Sequence, residues 1–216
     1  MPMVRLAAPL CLACPVTYAW LDLPATAVDQ AARMLLGWHL KANGVVVRLT
    51  EVEAYSGLGA DPASHAHRGR TPRNAIMFGP AGFLYVYQIY GMYQCMNIVC
   101  GEDGVAAAVL LRAGEVIEGV ETARARRPGA RNDTDLGAGP GKLTRALGIS
   151  KADYGTSVVD GTGPLTITPP GKDDEPLIEA GPRVGVTSAH DVAWRFWIKG
   201  DPTVSAYRRH SPRPGT

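Results

Sequence analysis

The segment Gly82–Asn97 constrains the fold more than any other part of the chain. It holds four of the eight tyrosines, and Gly91 in its second half allows the backbone to bend sharply. The pattern predicts a strand, a turn at Tyr90–Gly91 and a second strand. Because a buried tyrosine hydroxyl needs a partner, the segment is either an aromatic part of the core or a surface that is apolar on its faces and wet at its tips. Stacked nucleobases require a surface of the second kind.

The net charge of the chain is small, but its acidic and basic residues are unevenly distributed along the sequence. The formal net charge is +2 and the pI is near 8.4, yet no Asp or Glu occurs between Pro62 and Gly101. The basic residues of this window are His65, His67, Arg68, Arg70 and Arg73. From Trp194 onward the sequence contains five Lys or Arg residues and a single acidic residue, Asp201. This distribution indicates a protein that contacts a polyanion with one face.

The ends of the chain are predicted to lie outside the main domain. A chain of 216 residues most simply forms one domain, and no apolar window approaches a membrane span. The apolar run before Cys11 is too short for a signal peptide and is interrupted by Pro9. We therefore expect a loose extension at 1–14, a domain at 15–208, a basic tail at 209–216, and a cytoplasmic, nucleoid-associated protein of bacterial type that does not bind membranes.

The cysteines do not suggest a metal site. Cys11 and Cys14 form a CxxC pair, but no second pair follows at zinc-finger spacing. Cys95 and Cys100 fall in a predicted strand and have the character of core residues. Reduced thiols in a cytoplasm fit this pattern.

The predicted elements alternate between strands and a few helices. Helices are expected at 26–36, 115–127 and 141–147, and a long polar segment at 56–80 is expected to be a functional loop. The expected strands are 45–55, 83–90, 93–100, 105–112, 164–168, 182–187 and 194–199.

Several polar residues are candidates for chemistry. Glu51 and Glu53 share a face of their strand, which suggests either paired carboxylates of a glycoside hydrolase or the solvent face of an edge strand. Arg112 ends an apolar strand and could hold a carboxylate or a water. The stretch Gly137–Lys142 could present helix amides and one ammonium to a phosphate, although it matches no nucleotide-binding fingerprint.

Several ordered blocks together resemble the alkyladenine (3-methyladenine) DNA glycosylase family. They are Glu51–Tyr55, His65, Arg70–Asn74, Leu84–Asn97, Leu110–Ala113, Gly139–Leu143, Arg183–Val186 and Gly200–Ser205. The resemblance runs from about Pro15 to Arg208. With the predicted elements, it implies an α+β fold: a single compact domain with a curved, mainly antiparallel sheet flanked by a few helices.

The resemblance also implies an activity and a set of roles. The expected enzyme is a monofunctional glycosylase, without metal or cofactor, that flips alkylated or deaminated purines out of duplex DNA and hydrolyses the N-glycosidic bond; we expect a monomer. It implies Glu53 as the general base, with Arg112 and the Val184 carbonyl holding the attacking water. It implies substrate binding by Tyr55, Ala63, His65, Tyr87 and Asn97, the last as a gatekeeper against guanine. It implies DNA contacts by Arg70, Thr71, Met77, Tyr90 (the wedge in the duplex), Met92 and Lys142.

Two other functions compete with this one. A non-enzymatic reader of flipped or single-stranded bases would keep the tyrosines and arginines but have no use for Glu53 with Arg112. A sugar hydrolase would use Glu51 with Glu53 and would not need the basic loop.

Overall fold

Eight strands form one antiparallel sheet in the computed structural model, which describes residues 18–57, 59–89, 91–171 and 175–207. The predicted extension and tail, Cys11, Cys14 and Tyr90 lie outside these residues. The strands are β1 His39–Ala42, β2 Val45–Ser56, β3 Leu84–Ile89, β4 Tyr93–Val99, β5 Ala107–Glu118, β6 Leu165–Thr168, β7 Ile178–Gly181 and β8 Arg195–Ile198.

The long strands β2 and β5 form the middle of the sheet. Its order is β3-β4-β5-β2-β1-β6, and β8 also pairs with β2, carrying β7 at its outer edge. One edge of β2 pairs with β5, while the other pairs first with β1 and then, at residues 51–53, with β8. β2 is therefore a central strand, and the interpretation of Glu51 and Glu53 as the solvent face of an edge strand was wrong.

Three short helices cover the sheet: α1 Val28–Met34, α2 Val120–Arg126 and α3 Pro140–Ala146. The single sheet with few helices confirms the predicted α+β fold. The expected start of α2 at Glu115 was wrong, because β5 continues to Glu118. Val116 is buried opposite Val47, whereas Glu115 and Ile117 are more exposed. Burial therefore alternates as in a strand, where the acidic residues had suggested the start of a helix.

Three further expectations need correction. The strand expected at 182–187 lies earlier, at Ile178–Gly181, where it pairs with β8. β1 was not predicted; it is short, and its hairpin to β2 turns at Asn43 and Gly44, which have φ values of 48° and 80°. Arg112 lies inside β5 rather than at a strand end.

The core divides between the two faces of the sheet. The larger cluster packs α1 and α3 against β1, β2 and β5 and includes Leu40, Leu49 and Leu111. A smaller cluster on the other face joins Tyr85, Val99 and Ala108 to Ala66 and Met77 of the long loop. No helix in the described ranges is long and apolar enough to cross a membrane.

Candidate active site

A β-bulge in the middle of β2 decides which residues face the site. Val45, Val47 and Leu49 belong to the larger core cluster, and so do Val52 and Ala54 further along the same strand. The core-facing positions therefore change from odd to even numbers, and the register with β5 is irregular between Leu49 and Val52. Bulges re-aim side chains and are frequent beside active sites. Without this one, Glu51 and Glu53 would point into the core with Leu49.

The face opposite the larger cluster opens into a cavity of about 580 Å³. The charged side chains that line it are Glu53 and Arg112, and aromatic and small residues form most of the remaining wall. The cavity brings together nine predicted residues from five separate parts of the chain: Glu53, Tyr55, Ala63, His65, Met77, Tyr87, Asn97, Arg112 and Val184.

Glu53 is fully buried and has partners on both carboxylate oxygens. Its Oε1 accepts the Val184 backbone N–H at 2.7 Å, and its Oε2 accepts the Tyr55 hydroxyl at 2.8 Å. Burial, reinforced by the charge of Glu53, raises the pKa of Tyr55 well above its usual value, so this phenol stays protonated and donates. The carboxylate is thereby held in one orientation at the cavity wall.

Arg112 supplies the positive charge beside this carboxylate. Its Nη1 lies 3.4 Å from Glu53 Oε1, and its Nε donates to Glu51 Oε1 at 2.8 Å. Burial by itself lowers the pKa of Arg112, but the charges of Glu53 and Glu51 outweigh that effect and raise it. The guanidinium therefore remains charged throughout the working pH range.

Aromatic rings form the wall that faces Glu53. Tyr85 and Tyr87 are stacked with ring centroids 5.3 Å apart, and His65 meets the Tyr87 ring edge-on at 4.6 Å. The ring of His65 stands at the mouth of the cavity, where burial and then the charge of Arg73 lower its pKa to about 4. Burial raises the pKa of Tyr85 to about 12, so a protonated phenol lies 2.9 Å from the Nδ1 of a neutral imidazole. The rings of this wall are themselves uncharged, and the guanidinium of Arg73 lies 5.5 Å from the centroid of the Tyr87 ring.

Asn97 narrows the cavity beside Tyr85. Its side-chain amide is buried and donates to the Tyr85 carbonyl at 3.1 Å, which fixes the amide plane. A rigid polar group at this position can reject a base by steric clash, as the gatekeeper role requires. Cys95 also lines the cavity, and burial raises the pKa of its thiol to about 11, so it is a neutral part of the wall.

A buried ion pair that the sequence did not reveal joins the loop to β2. Both oxygens of Asp61 accept from Arg183, at 2.6 and 2.7 Å, and Arg183 also donates to the Ala54 carbonyl. The guanidinium lies over the Tyr55 ring at 4.7 Å. Because Arg183 precedes Val184 and Asp61 accepts the Ala63 N–H, the pair fixes two parts of the cavity wall at once. The signals in the sequence were Arg183 in a matching block and Asp61 at the edge of the acid-free window.

Among the predicted DNA contacts that fall in the described residues, only Met77 lines the cavity. Arg70 and Met92 are exposed, and Thr71 donates through its N–H and hydroxyl to Asn74, which pins the loop. Met77 is buried and lines the cavity, so it can reach only a base inside it. Lys142, at the start of α3, is paired with Asp135, and a phosphate would have to compete with that carboxylate. These contacts stay predictions.

The chain is similar to proteins of one family over most of its length. The model of the family described as methylpurine-DNA glycosylase (MPG) matches residues 22–202, which include every residue lining the cavity. A protein of Nocardia farcinica, described as a 3-methyladenine DNA glycosylase, is 54% identical over 189 residues, covering 86% of this chain and 89% of that protein.

Two further relatives carry the same description. The Streptomyces avermitilis protein is 55% identical over 174 residues, covering 78% of this chain and 80% of its own. The Mycobacterium tuberculosis protein is 45% identical over 188 residues, covering 85% and 91%. The residues that the family model matches include the whole sheet and the long loop.

Proposed function

The chain belongs to the methylpurine-DNA glycosylase family and is a DNA glycosylase, and from this premise we propose that it flips alkylated or deaminated purines out of duplex DNA and hydrolyses their N-glycosidic bond. The observation that carries the proposal is Glu53: a fully buried carboxylate, held by hydrogen bonds from Tyr55 and Val184, in the wall of a cavity large enough for a base. The first substrates to test are methylated purines, which the family description names.

Glu53 acts as the general base. Cleavage of the glycosidic bond builds positive charge on the deoxyribose, and a nearby carboxylate stabilises that charge and accepts a proton from the attacking water. Tyr55 and the Val184 N–H hold the carboxylate, while Arg112 binds the same water from the other side. The Val184 carbonyl, on the same residue as that N–H, is the proposed third contact to the water.

The aromatic wall selects the base. Tyr55, His65 and Tyr87 line one cavity, where a flipped purine would stack and a positively charged alkylpurine would gain from the electron-rich ring faces. The neutral state of His65 avoids repelling such a base. Asn97 obstructs the exocyclic amino group of normal guanine, and Ala63 contributes from the loop.

The strand turn enters the duplex. Tyr90 precedes Gly91, whose φ of +73° makes the turn between β3 and β4, and the neighbouring Met92 side chain is 72% exposed. Unstacking a base costs a few kcal/mol, least at damaged pairs, and an inserted aromatic ring offsets part of that cost. Arg70, Thr71 and Lys142 would hold the flanking phosphates. One flipped base per site requires one copy of the chain, so we expect a monomer.

A lesion-excision assay tests the proposal against its rivals. The protein is incubated with methylated duplex DNA and with a duplex carrying one hypoxanthine, and free base and abasic sites are measured. We expect release of methylated purine and a strand that breaks only after alkali treatment. Tight binding without base release would support a base reader instead. Hydrolysis of simple glycosides would support a sugar hydrolase, and breakage without alkali would contradict a monofunctional enzyme.

A further inference from the structure

Glu51 is a buried carboxylate with no place in the chemistry described above. It is fully buried, yet the cavity wall is formed by Glu53 and Arg112, and Glu51 lies behind them. A buried charge is costly unless it is paired and hydrogen-bonded. The presence of Glu51 two residues before Glu53 on a central strand therefore calls for an explanation.

Glu51 accepts four hydrogen bonds. Its Oε1 accepts from Arg112 Nε at 2.8 Å, Arg195 Nε at 2.6 Å and the Ser205 hydroxyl at 2.9 Å. Its Oε2 accepts the Ser205 backbone N–H at 2.8 Å. Four hydrogen bonds therefore converge on this carboxylate, three of them on Oε1, and together they fix its direction.

Arg112 is consequently fixed on two of its edges. Its Nε binds Glu51, its Nη2 donates to the Ser205 hydroxyl at 2.9 Å, and its Nη1 points at Glu53 from 3.4 Å. A charge-assisted bond would be about 2.7–2.9 Å long, so Nη1 is not committed to Glu53. It keeps an N–H to share with a water that Glu53 also binds.

We propose that Glu51 is a positioning residue, which acts through Arg112 to keep the guanidinium off the catalytic carboxylate. This inference rests on the proposed function. Two carboxylates, Glu51 and Glu53, share two arginines, Arg112 and Arg195. Without the charge of Glu51, the strongest acceptor within reach of Arg112 is Glu53, and a close ion pair there would occupy the oxygen that must take the proton.

The chain after β8 forms the back of this arrangement. Asp201 binds Arg48 at 2.6 Å, Thr203 binds Thr50 at 2.6 Å, and Ser205 binds Glu51, so residues 201–205 follow β2 from one side chain to the next. Ser205 contacts Glu51 at the point where the register between β2 and β5 is irregular. The bulge turns Glu51 and Glu53 away from the larger core cluster, and the segment 201–205 holds Glu51 in place through Ser205.

A double-mutant cycle under single-turnover conditions tests the proposal. The substrate is methylated duplex DNA with enzyme in excess, and release of 3-methyladenine is followed for wild type, Glu51→Gln, Arg112→Gln and the double variant. We expect Glu51→Gln to slow release by about 10- to 100-fold, since a misplacement of about 1 Å can cost about 100-fold. Its Kd for the lesion duplex should stay within about twofold of wild type. In the Arg112→Gln background, Glu51→Gln should have almost no further effect.

Additive losses would overturn the proposal, because they would show that Glu51 does not act through Arg112. A fall in DNA affinity with an unchanged rate would overturn it as well. Wild-type rates in both Arg112→Gln and Glu53→Gln would instead contradict the proposed function. The matched control is Glu115→Gln on β5, whose carboxylate is half exposed and pairs with Arg48; it should release base at the wild-type rate.

A milder variant covers the case in which Glu51→Gln does not fold. Ser205→Ala removes the hydroxyl that joins Arg112 Nη2 to Glu51 and leaves the backbone N–H bond to Glu51 in place. We expect it to melt close to wild type and to slow release by about 2- to 10-fold, because Arg112 itself loses one hydrogen bond and keeps the one to Glu51. A folded Ser205→Ala protein with wild-type rate would argue against the proposal.

Discussion

The two faces of the β2–β5 pair are built from neighbouring residues and serve opposite purposes. One face carries Leu49, Val52 and Leu111 into the larger core, where burial of apolar surface stabilises the fold. The other carries Glu53 and Arg112, buried charges that cost desolvation and need exact partners to be tolerated. Stability thus comes mainly from one face and the proposed chemistry from the other, and the substitutions below should separate them.

Glu53→Gln should have the largest effect, and only on the chemical face. The amide keeps the shape of the carboxylate and can still accept the Val184 N–H, but it cannot take a proton from water. General-base catalysis contributes about 100- to 10,000-fold, so base release should fall by that factor while the lesion duplex is still bound. Single-turnover kinetics and a binding titration measure the two separately. Release at the wild-type rate would remove Glu53 from the mechanism.

Arg183→Met should damage both faces, since this residue joins the loop to the site. It leaves Asp61 as a buried, uncompensated charge, a change that costs about 3–5 kcal/mol of unfolding free energy. Excision should fall too, because Val184 and the Tyr55 ring lose their support. Urea unfolding is the measurement.

The control for Arg183→Met is Lys199→Met, which breaks an exposed pair with Glu179 and should cost at most about 1 kcal/mol. Equal losses in the two variants would mean that the buried pair contributes no more than a surface one.

Leu40→Ala should affect the core face alone. Leu40 is fully buried on β1, away from the cavity, and truncation of such a residue costs about 2–5 kcal/mol. Thermal unfolding should shift downward, while the release rate per folded molecule, at a temperature where the variant is folded, should match wild type. A slowed chemical step would show that the two faces are coupled.

Asn97→Ser should have the smallest effect and change specificity only. The shorter side chain removes the obstruction to the guanine amino group and cannot hold the amide bond to the Tyr85 carbonyl. The ratio of guanine to hypoxanthine release should rise by about tenfold, within the about 1–3 kcal/mol that a contact of this size discriminates. An unchanged ratio would mean that guanine is rejected elsewhere.

The sequence by itself determined the family, the α+β fold and most of the strands. Runs of β-branched and aromatic residues in 45–55 and 84–97 predicted long strands because the preference of such residues for extended backbone is local. It failed where local signals conflicted: the acidic residues of 115–118 suggested a helix start, whereas pairing of Val116 with Val47 keeps this stretch in β5. The resemblance supplied residue roles, and the structure brings nine of those residues to one cavity.

Only the tertiary structure decided the environments of Glu51 and Glu53. Their spacing predicts that the two side chains share a face of the strand. Whether that face meets solvent, the core or the active site depends on the bulge, which changes the core-facing positions of β2 from odd to even numbers, and on partners that are distant in sequence. Arg195 and Ser205 reach Glu51 across 144 and 154 residues, and Arg183 reaches Asp61 across 122. A buried charge is fixed by the groups that compensate it, and no local pattern specifies groups so distant along the chain.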